Sequence, residues 1–78
     1  DDRFYFRVEH ILLHFTKADG ELAGILERRA HGKGFPEDIS NLNTIASKMV
    51  VNALRLAASL GLNADELISL VNKRLKTQ

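Results

Sequence analysis

The sequence predicts an all-α protein: a hairpin of two long helices followed by a short C-terminal helix, with hairpins assembling into an oligomeric helical bundle. Three observations predict it. Apolar residues recur at steps of three and four along most of the chain, the period of a helix. Helix-ending residues, two glycines and the only proline, gather in His31-Gly32-Lys33-Gly34-Phe35-Pro36. The second apolar stretch is wider than one neighbouring helix can cover.

The first helix is expected over residues 3–30, where Phe4, Val8, Ile11, Phe15, Ala18, Leu22 and Ile25 form one stripe. Gly20 and Gly24 interrupt it, each costing about 1 kcal/mol relative to alanine. They predict a kink or break near Asp19-Gly20, or the close approach of another helix. After the turn, Ile39, Leu42, Ala46, Met49, Ala53, Leu56 and Leu60 place a second helix over residues 38–60. Gly61 suits the position just past its end, and Asn63 followed by Glu66 has the spacing of a capping box, so a third helix starts near Ala64. Leu67, Ile68, Val71 and Leu75 give this helix its apolar side, and Lys73, Arg74 and Lys76 oppose the negative end of its dipole.

Residues 1–78 read as one domain, near the size at which a chain struggles to offset its conformational entropy by burial alone. With no cysteine and no zinc-finger spacing, oligomerisation is the remaining support. On the second helix Ile45, Val50, Val51, Leu54, Ala57 and Ala58 lie outside the main stripe, and Ala46, Ala53, Ala57 and Ala58 permit close approach. The expected product is a homo-oligomer, a dimer or tetramer, with Ala46, Met49, Val50, Ala53, Leu54 and Ala57 at the interface.

A net charge of +1, from 11 basic and 10 acidic residues, creates no basic field of the kind nucleic acids require. No apolar run approaches a membrane span, and Asp1-Asp2-Arg3 lacks the order of a signal peptide. A cytoplasmic protein with neither a nucleic-acid nor a membrane partner is expected; the start at Asp1 leaves room for a segment ahead of it.

The stretches Leu13-His14-Phe15-Thr16-Lys17-Ala18-Asp19-Gly20-Glu21-Leu22-Ala23 and Leu54-Arg55-Leu56-Ala57-Ala58-Ser59-Leu60-Gly61-Leu62-Asn63 resemble the MazG-like all-α nucleoside triphosphate pyrophosphohydrolases. The resemblance covers roughly residues 12–75. It implies oligomers in which a Glu-x-x-Glu pair on one helix and a Glu-x-x-Asp pair on the next hold magnesium around a nucleoside triphosphate. Carried onto this chain, the first pair falls on Ala18 and Glu21 and the second on Ile45 and Lys48. Only Glu21 retains a metal-ligating side chain, and a lysine where a metal ligand should sit repels magnesium. The resemblance therefore implies a member that binds rather than catalyses, with no cofactor. Its ligand is a partner protein or a small phosphorylated molecule, for which Lys17 and Lys48 are the candidate contacts. Two alternatives stand beside it: a magnesium-dependent nucleotide pyrophosphohydrolase, with Glu37 or Asp38 brought toward Glu21 by a gap, and a protein-interaction module unrelated to the family.

Other clusters have simpler readings. His10 and His14 share a helix face beside Glu9 and suit a zinc or nickel ion, but no third ligand is visible; an interface histidine couple explains them as well. Arg28, Arg29, His31 and Lys33 oppose the first helix dipole, with phosphate capture as the alternative. The loop lacks the order of a P-loop, and Thr16, Ser40 and Thr44 have no histidine-acid partners, so they carry no nucleophilic role.

Overall fold

A seven-residue repeat of seam positions organises the chain. The computed structural model describes residues 2–77 as three helices, α1 (Asp2–Ala30), α2 (Asp38–Ser59) and α3 (Ala64–Lys76), with no strand among the described residues. On α1 the buried positions Ile11, Ala18 and Ile25 are seven apart, and Val8, Phe15 and Leu22, each three residues before one of them, are only partly exposed. On α2 the corresponding series is Asp38, Ile45 and Asn52, with Leu42, Met49 and Leu56 each four residues after one of them. Ala18, Ile25 and Ile45 form the core cluster, and Leu22, Leu42 and Met49 pack against it. Partners across the seam run in opposite order, Arg28 with Asp38 and Glu21 with Lys48, so the helices are antiparallel. Alternation of three and four residues is the pattern that keeps two helices in continuous side-by-side contact.

Two expectations need correction. α1 does not break at Asp19-Gly20, because the seam continues on both sides of the glycines and holds one straight register. Within the chain no second helix approaches them, since a Cβ at Gly20 or Gly24 would meet nothing within 4 Å. On α2 the buried stripe is rotated from the one read in the sequence: Ile45 is 4% exposed, whereas Ile39 is 67% exposed. The rotation arises because two seam positions are polar, Asp38 and Asn52, and counting apolar residues passes over them.

Asp38, 1% exposed, fixes the turn between the long helices. Its carboxylate accepts hydrogen bonds from Arg28 Nη2 at 3.1 Å, Arg29 Nη1 at 3.2 Å and the Phe35 amide at 3.0 Å. The Arg28 guanidinium also lies 4.7 Å from the centre of the Phe35 ring. The Phe35 amide, aided by the two guanidiniums and against the effect of burial, holds the Asp38 carboxyl below its ordinary pKa.

α1 and α2 end alike. Gly32 and Gly61 adopt φ of +74° and +78°, and the amides of Lys33 and Leu62 reach back to the carbonyls of Arg28 and Ala57 at 2.9 Å each. These are Schellman motifs, in which glycine takes the left-handed residue without strain. The capping box forms as its spacing requires: Glu66 N donates to Asn63 Oδ1 at 2.8 Å, and Asn63 N donates to Glu66 Oε1 at 3.2 Å. α3 leaves α2 at 114° and has no buried residue. The accessible surface is 6374 Å², against about 4,700 Å² for a compact folded monomer of 8.7 kDa.

Ile45→Ala should destabilise the protein to urea by about 3 kcal/mol, the cost of truncating a core isoleucine, and by more than Ile39→Ala. An equal or larger loss at Ile39 would reverse the orientation assigned to α2. The depressed Asp38 pKa makes a signed prediction. Its contribution is fully present above the unfolded value of about 3.9 and is lost as pH falls through the lower folded value. Thermal melts followed by circular dichroism should show this acid loss in the parent chain. It should be absent from the less stable Asp38→Asn variant.

Candidate functional site

The two flanks of the seam differ in character. On one flank α1 contributes His14, Glu21 and Arg28, each seven residues apart, and α2 contributes Asn41, Lys48 and Arg55 with the same spacing. Four of them, His14, Glu21, Lys48 and Arg55, border a groove of about 330 Å³ between the helices, with Ala18 and Asn52 on its floor and Lys17, Thr44, Ser47 and Val51 along its walls. The groove brings together Glu21, Lys17 and Lys48, the three residues the sequence singled out for metal or ligand contact.

The Lys48 ammonium spans the Glu21 carboxylate, 3.1 Å from Oε2 and 3.4 Å from Oε1. Both side chains remain substantially exposed, so the pair is screened by water. Ala18 and Ile45, at the other two positions carried over from the resemblance, are core neighbours. This set does not fit a magnesium ion: one carboxylate is present, and a fixed cation already occupies its two oxygens. Among the described residues no three or more His, Cys, Asp or Glu side chains converge as a metal site, and Glu37 and Asp38 do not join Glu21. The Lys17 ammonium and the Arg55 guanidinium have no hydrogen bond or ion pair among the described residues. With Lys48 they outnumber the single acid of the groove by three to one.

Asn52 was missed by sequence reasoning. It is 5% exposed, yet its side-chain amide makes no hydrogen bond among the described residues. None of its polar atoms is sealed from solvent, so the amide opens onto the groove beside the small Ala18. The amide is therefore free to bond a water or a ligand that enters the groove. The signal in the sequence was a polar residue seven positions after Ile45 and between Met49 and Leu56, visible only once the seven-residue seam is known.

The remaining candidates resolve individually. His10 and His14 meet each other, Nε2 to Nε2 at 3.1 Å, one ring donating to the other. Arg28 and Arg29, read from the sequence as dipole partners or a phosphate clamp, are engaged by Asp38. His31 Nδ1 lies 2.9 Å from the Glu27 carbonyl at the end of α1. The Thr16 and Thr44 hydroxyls donate to the Leu12 and Ser40 carbonyls of their own helices. Of the residues expected at an interface, Met49 packs against the core cluster and Ala57 is buried within the chain; Ala53 is half-buried, and Ala46, Val50 and Leu54 lie open. No single helix among the described residues is long and apolar enough to cross a membrane.

Compared with known protein families, with characterised proteins and with solved structures, the chain matches none of them.

Because the Glu21–Lys48 pair is exposed, Lys48→Ala should change unfolding free energy by less than about 1 kcal/mol in urea titrations. A larger loss would make the pair a structural tie rather than part of a groove.

Proposed function

We propose that this chain is a MazG-like helical protein that self-associates and binds, without hydrolysing, a small phosphorylated ligand, with the cytoplasm as its compartment. One observation carries the reading. In the groove where the resemblance calls for magnesium carboxylates, the Lys48 ammonium lies on Glu21. A cation fixed to the protein supplies charge to a phosphoryl group but offers no water to activate and no exchangeable coordination site. Lys17 and Arg55 add charges without partners among the described residues, and the Asn52 amide offers a donor on the floor. The three cations less Glu21 suit a phosphoryl dianion. No second polypeptide is needed for this chemistry; self-association is supported separately by the large surface and by exposed Val50 and Leu54.

A thermal-shift series with pyrophosphate and nucleoside triphosphates, with and without magnesium, tests the reading. A native-state ligand should raise Tm in proportion to its saturation. The rise should not require magnesium, and it should be diminished in Lys17→Gln and Lys48→Gln. Magnesium-dependent release of pyrophosphate, abolished by Glu21→Ala, would replace this reading with that of a pyrophosphohydrolase. No stabilisation by any of these anions would leave a protein-interaction module.

A further inference from the structure

α3 leaves most of its apolar side exposed, with Leu67 alone partly covered. Ile68, Val71 and Leu75 are three and four residues apart on one side, and each is about half exposed or more. The preceding corner is doubly fixed, by the Schellman motif at Gly61 and by the Asn63–Glu66 capping box. α2 and α3 are bent by 114° at this corner, and no residue of α3 is buried. A helix of 13 residues reaches about 20 Å.

The hairpin carries a complementary surface. On the flank opposite the groove, the residues bordering the seam are Tyr5, Leu12, Asp19 and Leu26 of α1 and Ile39, Ala46, Ala53 and Leu60 of α2. The five large apolar side chains in this row are all more than half exposed. The small Ala46 and Ala53 leave space for another helix to lie close. Asp19, the one charge in the row, suits an arm whose last turn holds Lys73, Arg74 and Lys76.

We infer that α3 is an exchanged arm: in a two-fold dimer the α3 of each copy lies on the apolar flank of the other. This rests on the self-association proposed above and specifies its contacts. A second copy is the occupant because one molecule carries both halves of the contact, an arm it cannot use and a flank it leaves open; reciprocal exchange satisfies both and closes the assembly. The area agrees. The chain exposes roughly 1,700 Å² more than a compact monomer of its mass, so two copies burying most of that excess reach the range of obligate dimers, about 2,000–5,000 Å² in total.

Light scattering and isotope-filtered NMR on the full chain test the exchange. The parent chain should have twice the 8.7 kDa mass. In a mixture of labelled and unlabelled chains, the methyls of Ile68, Val71 and Leu75 should show contacts to Leu12 and Leu26 of the other copy. Val71→Asp with Leu75→Asp alters only residues exposed in the single chain, so helicity should persist while dimerisation weakens at least about 100-fold. Ser69→Ala, an exposed position of α3 turned away from Ile68, Val71 and Leu75, should leave the dimer intact. A monomeric parent chain would overturn both self-association and exchange. A dimer that survives the double substitution, or α3 contacts found only within one copy, would overturn the exchanged arm and leave self-association standing.

Discussion

Everything in this small protein depends on the single seam between α1 and α2. Among the described residues the seam buries only Ile11, Ala18, Ile25 and Ile45 as apolar residues, a slight core for a chain of this length. Two helices touching along one line have no third layer to correct an error of register, so the register must be specified within the seam. Asp38 does this at the closed end. Its buried carboxylate joins α1, the turn and α2 through Arg28, Arg29 and Phe35, which sets the phase at which α2 begins. A one-residue slip would bury Ile39 in place of Asp38 and leave two guanidiniums and an amide without their acceptor.

Fixing that phase decides the two outer surfaces at once. With Asp38, Ile45 and Asn52 turned inward, the long polar residues Asn41, Lys48 and Arg55 fall on one flank, facing His14, Glu21 and Arg28 of α1. Ile39, Ala46, Ala53 and Leu60 fall on the other, facing Tyr5, Leu12 and Leu26. A polar groove suited to an anion and an apolar flank suited to another helix are thus consequences of one rotational choice. The Glu21–Lys48 pair adds little stability, being exposed, but it sets the chemistry of the groove by placing an ammonium over its only carboxylate. Asn52 belongs to both roles, as a seam residue and as the polar floor of the groove. A polar group in such a seam lowers stability and can specify pairing, which gives the amide a structural reason to be present beside its proposed use toward a ligand.

What was legible in the sequence was local. The three helices, the turn at residues 31–37, the glycine that ends α2 and the Asn63–Glu66 capping box follow from backbone and side-chain chemistry within a few residues. Glu21 and Lys48 were singled out only by the positions the family resemblance carried over; that they meet as an ion pair was not read from the sequence. Nor was the phase of α2. Its surface is apolar over so wide an arc that periodicity admits both the stripe through Ile39 and Ala46 and the stripe through Ile45. The choice rests on where a carboxylate is neutralised by arginines on another helix, a long-range electrostatic fact that no count of apolar residues contains.

The sequence by itself therefore determined the elements, their ends and the excess of apolar surface, since these depend on dihedral preferences, short-range capping and composition. Tertiary structure alone decided which apolar residues are core and which are surface, and that Asn52 opens into a groove. The physical reason is common to both. Each depends on the rotation of one helix about its axis relative to another, and that rotation is set by contacts between residues distant in the chain.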